Sequence, residues 1–107
     1  MSLNVYLDSV IGSSSEGYSA NITHNLNDMA KEAGIYECLW YPEVGAKASQ
    51  LIKPLKAGLS RMKADPGRFK EFDSPNGWGT YEDFVPWIEN YLQACEDNPD
   101  ATVTVSR

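Results

Sequence analysis

The segment Leu3-Asn4-Val5-Tyr6-Leu7-Asp8 decides the fold, because it alternates apolar and polar residues. A period of two is typical of a strand that buries one face. At the other end of the chain, Ala101-Thr102-Val103-Thr104-Val105 has the same period and is rich in β-branched residues. We expect the two terminal strands to lie side by side in one sheet. Residues 17–20 are a weaker third strand, which follows a Ser-rich turn at residues 12–17.

Three stretches between the terminal strands carry apolar residues at helical spacing. The first predicted helix covers about residues 22–33, with Asn21 or Thr23 as its cap. The second covers about residues 46–63, and the third begins near Thr80. Since an isolated strand pair is marginal without helices on one face, the predicted class is α+β. Three helices pack on one face of a small sheet that contains the N- and C-terminal strands.

Length and composition predict one globular domain, residues 1–107, with a hydrophobic content of 42%. Two cysteines, Cys38 and Cys95, without a signal peptide predict free thiols in the cytoplasm. No apolar run approaches the roughly 20 residues of a membrane span. We therefore expect a cytoplasmic chain with no membrane contact.

The net charge of −6 makes the chain acidic and disfavours nucleic acid as a partner, because phosphates would be repelled. Seven of the nine basic residues lie between Lys47 and Lys70, and the third helix is acidic. The two helices either neutralise each other within one chain or meet between molecules, or their charges only favour solubility. We favour the within-chain and solubility interpretations over a specific contact.

His24, Asp28 and Glu32 recur every four residues, as metal ligands on one helix face would. A solvated polar face explains this spacing equally well, so we expect neither a metal nor another cofactor. His24 and Cys38 form a conceivable base and nucleophile. Nothing near them in the sequence supports that pairing. We predict no catalytic residues, and an enzyme is not the favoured interpretation.

The segment Asn76-Gly77-Trp78-Gly79-Thr80 combines two glycines with a helix start, and such backbone can form a nest for an anion. Glu82 and Asp83 in the first helical turn would repel a phosphate. We therefore prefer a tight turn whose Trp78 is buried as a core residue.

Aromatic residues are too many for a domain of this size to bury completely, and those at the surface predict a contact patch. Trp87 and the Trp40-Tyr41 pair are candidates for it, together with Trp78. A small-molecule pocket would instead gather polar side chains around His24. The candidate ligand- or partner-binding residues are His24, Asn25, Trp40, Tyr41, Asn76, Trp78 and Trp87.

Four segments resemble a family of short bacterial and phage-encoded proteins without an assigned activity. They are Asn21-Ile22-Thr23-His24-Asn25-Leu26, Ala33-Gly34-Ile35-Tyr36-Glu37, Asn76-Gly77-Trp78-Gly79 and Pro99-Asp100-Ala101-Thr102-Val103-Thr104-Val105-Ser106-Arg107. The resemblance covers nearly the whole chain after the first strand. It implies a self-contained cytoplasmic domain and no site residues.

The function that the sequence favours is a small non-catalytic interaction module, with self-association or a protein partner as its expected mode. One alternative is a small-molecule-binding protein or small enzyme with a pocket near His24, Trp40 and Trp78. Another is an acidic phage-type inhibitor whose surface mimics nucleic acid. That alternative requires the acids of the third helix and of the carboxy-terminal loop to form one continuous face.

Overall fold

A computed structural model of the chain describes residues 2–8 and 18–107. The predicted Ser-rich turn at residues 12–17 lies outside these residues. The sheet has three strands, β1 (Ser2–Asp8), β2 (Tyr18–Thr23) and β3 (Thr102–Ser106). Their spatial order is β2-β1-β3, and both neighbouring pairs are antiparallel. The predicted pairing of the two terminal strands is therefore confirmed, and the fold class is α+β.

Five α-helices follow β2 and precede β3. They are α1 (Asn27–Ala33), α2 (Tyr36–Trp40), α3 (Ser49–Ala64), α4 (Pro66–Lys70) and α5 (Tyr81–Asp97). α3 and α5 are the long helices, and they pack against each other. Among the described residues, no helix combines the length and apolar character that a membrane crossing needs.

One face of β1 supplies the sheet side of the core. Leu3, Val5 and Leu7 are fully or almost fully buried, whereas Tyr6 is exposed. The same buried cluster includes Met29 of α1 and Ile88 of α5, so helices cover this face. Alternation along β1 therefore separates a helix-covered face from an outer face of the sheet.

The first helix begins five residues later than the sequence predicts. Ile22 lies opposite Leu3 in the sheet instead of starting a helix. Thr23 then ends β2, and its hydroxyl accepts a hydrogen bond from the backbone nitrogen of Asn25 at 3.2 Å. This cap starts a single 3₁₀ turn, His24–Leu26, from which α1 continues. Ile22 fits both the helical and the strand periodicity of apolar residues, and its pairing with β1 places it in the strand.

The basic and acidic helices contact each other within one chain. Lys56 and Lys63 of α3 lie 3.1 Å and 2.6 Å from carboxylate oxygens of Glu96 and Glu89 on α5. All four side chains are exposed to solvent, so each pair contributes only about 0–1 kcal/mol. The split charge of the sequence thus brings complementary helix surfaces together without dominating stability.

Candidate functional site

Trp78 is the most prominent feature of the surface. It lies in the loop between α4 and α5 and is 72% exposed. The prediction that Trp78 is buried in the core is therefore wrong. Hydrogen bonds within the loop hold the backbone in a shape that directs the indole outward. Asn76 Oδ1 accepts from the backbone nitrogen of Trp78 at 2.9 Å, and the nitrogen of Ser74 donates to the oxygen of Gly79 at 3.0 Å.

The loop is also fixed to the end of β2. Asn25 Nδ2 donates to the backbone oxygen of Trp78 at 2.9 Å, across 53 positions of sequence. Gly79 has φ +106°, and a Cβ there would lie 3.0 Å from Thr23 Cγ2 and 3.1 Å from Asn25 Cβ. Only glycine allows both this backbone conformation and this close approach. Trp78 is thus exposed on a backbone that neighbouring residues hold in place.

A groove of about 740 Å³ lies beside this loop. Its walls come from the start of β1, the end of β2, the 3₁₀ turn and the Trp78 loop. The lining residues are Ser2, Asn21, Ile22, Thr23, His24, Asn25, Asn76 and Trp78. Among the residues that the structure describes, no Asp, Glu, Lys or Arg lines the groove. Three amides and two hydroxyls instead offer both donors and acceptors.

The structure brings four of the predicted site residues together in this groove: His24, Asn25, Asn76 and Trp78. The imidazole of His24 meets the ring of Trp40 edge-on, with 6.0 Å between ring centroids. Its Nε2 atom is buried and has no hydrogen-bond partner among the described residues. A water molecule or a hydroxyl group of a ligand placed near this nitrogen would supply the hydrogen bond that it lacks.

Trp40 belongs to the core and not to a contact patch. It is only 2% exposed, and its ring stacks on Tyr36 with 5.2 Å between centroids. The guanidinium of Arg107 also donates to the backbone oxygen of Trp40 at 2.9 Å. The sequence-based placement of Trp40 at the surface is therefore wrong, because α2 packs its last turn inward.

Tyr41 lies away from the groove although it is 54% exposed. The Arg107 guanidinium covers its ring at 4.4 Å, and Tyr41 lines a separate hollow of about 250 Å³ with Glu37, Pro42 and Gln50. Six of the seven candidate binding residues are therefore divided among the groove, the core and this hollow.

Trp87 supports the groove from behind. It is half-buried on α5, and its Nε1 donates to the backbone oxygen of Asn21 at 2.9 Å. This bond ties α5 to the backbone of β2. Trp87 therefore holds a groove residue in position.

The hypotheses of a metal site and of a reactive thiol find little support. Within residues 2–8 and 18–107, no three His, Cys, Asp or Glu side chains are grouped as metal ligands would be. Glu32 forms an ion pair with Arg68. Burial, and secondarily the nearby Cys95, raises the pKa of the Cys38 thiol to about 12. Cys38 is therefore protonated at neutral pH and is a poor nucleophile.

Ser2, Asn21 and Thr23 are groove residues that the site prediction does not include. Asn21 and Thr23 alternate with the buried Ile22, which is a strand signal. Extending the period of two from residue 18 to residue 23 would have placed both side chains on the face opposite the core.

Comparison with known proteins adds nothing to this geometry: no family model, curated protein or solved structure matches the chain.

Proposed function

We propose that this chain is a non-catalytic binding module that holds its partner in the groove beside Trp78. The observation that carries the proposal is a large aromatic ring, 72% exposed, on a loop fixed by hydrogen bonds from Asn25 and Asn76. Exposed aromatic side chains dominate the binding energy of many interfaces. Because the backbone that carries the ring is already held in place, the loop loses little conformational entropy when the ring binds.

The size of the indole makes it a sufficient anchor. An aromatic side chain buries about 150–250 Å². Covering the exposed part of Trp78 would therefore contribute roughly 3–4 kcal/mol at about 25 cal/mol per Å², before the cost of association. This is within the range of residues that dominate binding interfaces.

The chemistry of the groove supports binding without catalysis. Its described residues include no carboxylate, lysine or cysteine, and the thiol of Cys38 lies elsewhere and keeps its proton. A hydroxyl nucleophile is weak unless an adjacent base activates it. His24 is the one titratable side chain among the described residues of the groove, and its buried Nε2 has no hydrogen bond to a described hydroxyl.

Charge pairing disfavours the alternative of a nucleic-acid mimic. Lys56 and Lys63 lie beside Glu96 and Glu89, so positive groups interrupt the acidic surface of α5. A mimic of a phosphate backbone requires an unbroken negative face.

Two free cysteines, Cys38 and Cys95, support the cytoplasm as the site of action, because free thiols persist in a reducing compartment.

The test compares Trp78→Ala with Tyr41→Ala, which removes an exposed aromatic side chain outside the groove. Both variants and the wild-type chain are titrated with a panel of neutral oligosaccharides and peptides. Self-association is measured by sedimentation. We expect Trp78→Ala to weaken at least one interaction about 30-fold or more, and Tyr41→Ala to leave it unchanged. The proposal is overturned if no probe binds and no self-association occurs, or if every interaction survives the loss of Trp78.

A further inference from the structure

We infer that the groove continues across the outer face of the sheet to Tyr6, and that its ligand is a neutral oligosaccharide. The inference rests on the proposed binding function of the Trp78 groove, and it adds the length of the site and the class of ligand.

Asn21 joins the groove to a second hollow. This hollow has a volume of about 300 Å³ and is lined by Asn4, Tyr6, Ser19, Ala20 and Asn21. In the sheet, Asn21 lies opposite Asn4, and Ser19 lies opposite Tyr6. Asn21 lines both hollows, so they share a wall. Together they form one strip, from Trp78 along β2 to Tyr6.

Two aromatic rings mark the ends of the strip. Trp78 is mostly exposed, and Tyr6 is 38% exposed on the face of β1 that the helices do not cover. The four residue steps from Thr23 to Ser19 span about 13 Å at roughly 3.3 Å per step along a strand. The strip is therefore longer than one sugar ring and suits a chain of several.

The side chains between the rings are uncharged hydrogen-bonding groups. Amides and hydroxyls come from Ser2, Asn4, Ser19, Asn21, Thr23, Asn25 and Asn76. No Asp, Glu, Lys or Arg among the described residues lines either hollow, although the chain carries a net charge of −6. A charged ligand would find no opposite charge in this strip, whereas amides match hydroxyl groups, which both donate and accept.

Sugar rings combine these hydroxyl groups with faces of C–H bonds. Such a face is slightly positive and packs on the negative face of an aromatic ring. The alternation along the strip, from ring to polar side chains to ring, matches that pattern.

A peptide fits the strip less well. An extended peptide usually binds by adding a strand to an open sheet edge. At β2 one backbone acceptor is already in use, because the oxygen of Asn21 accepts from Trp87 Nε1 at 2.9 Å.

The experiment is calorimetric titration with neutral oligosaccharides of glucose and of N-acetylglucosamine, from one to six units. The proteins are the wild-type chain, Trp78→Ala, Tyr6→Ala and the Tyr41→Ala control. We expect affinity to rise with length until both rings are covered. Tyr6→Ala should then weaken the longest oligosaccharides about three- to tenfold and leave the disaccharides unchanged. Trp78→Ala should weaken all of them, and Tyr41→Ala none.

Tyr6→Phe keeps the ring without its hydroxyl and should retain most of the affinity. Circular dichroism of each variant checks that the fold is intact. The inference is overturned if no neutral oligosaccharide binds at millimolar concentration, or if binding of the longest ones does not depend on Tyr6. A peptide or a second copy of the chain that binds through Trp78 alone would also overturn it. That last result would leave the proposed binding function in place.

Discussion

Replacing Gly79 with alanine should release the Trp78 loop from the end of β2. The added methyl group would meet Thr23 Cγ2 at 3.0 Å and Asn25 Cβ at 3.1 Å, and φ at this position is +106°. Backbone strain there costs about 1–3 kcal/mol, and overpacking costs a further 1–3 kcal/mol or so. Alanine also restricts the unfolded chain, which offsets roughly 0.4–1 kcal/mol. We therefore expect Gly79→Ala to lower the free energy of unfolding, measured by urea denaturation, by about 2–5 kcal/mol.

Gly77→Ala is the matched control within the same loop. Its φ is +78°, but a Cβ there meets nothing within 4 Å. Its free energy of unfolding should therefore fall only by the strain of placing alanine in the left-handed conformation, about 1–2 kcal/mol. Equal losses in the two variants, or no loss at Gly79, would refute the claim that the loop packs tightly against β2.

Two further predictions concern the core. Gly58→Ala should be about 1–3 kcal/mol less stable than Gly67→Ala. A Cβ at Gly58 would lie 2.3 Å from Ile35 Cγ2, whereas a Cβ at Gly67 meets nothing within 4 Å. Thermal unfolding of the two variants checks this difference. Stability should fall as pH rises from about 9 to about 12, because burial holds the proton on Cys38 in the folded state while the unfolded thiol loses it near pH 9. This thiol contributes at most about 1.4 kcal/mol per pH unit to the slope of the free energy of unfolding against pH. Urea titrations over that pH range should show a smaller slope for Cys38→Ala than for the wild-type chain.

The pairing of the terminal strands was predictable from the sequence. Leu3, Val5 and Leu7 alternate with polar residues, and only a half-buried strand satisfies that pattern. The start of the first helix was not predictable in the same way. Ile22 fits a strand and a helix equally well, and its partner Leu3 lies far away in sequence.

The candidate site was predictable in part. The segment around Trp78 stands out in the sequence because it combines two glycines with an aromatic residue before a helix. Its exposure depends on Asn25, which binds the loop from 53 positions away, and no local pattern encodes that contact. The burial of Trp40 likewise depends on stacking with Tyr36 within the folded α2. The general preference for aromatic burial fails at Trp78, where specific contacts override it, whereas at Trp40 it agrees with the structure.

The account depends most on the outward position of the Trp78 ring. Acrylamide quenching of tryptophan fluorescence tests this directly, because Trp40 is buried and Trp87 is half-buried. The account predicts that Trp78→Phe removes the most readily quenched emission and leaves a signal, from Trp40 and the half-buried Trp87, that acrylamide quenches less. An unchanged quenching curve would show that Trp78 is not the exposed indole, and it would contradict the proposed binding surface.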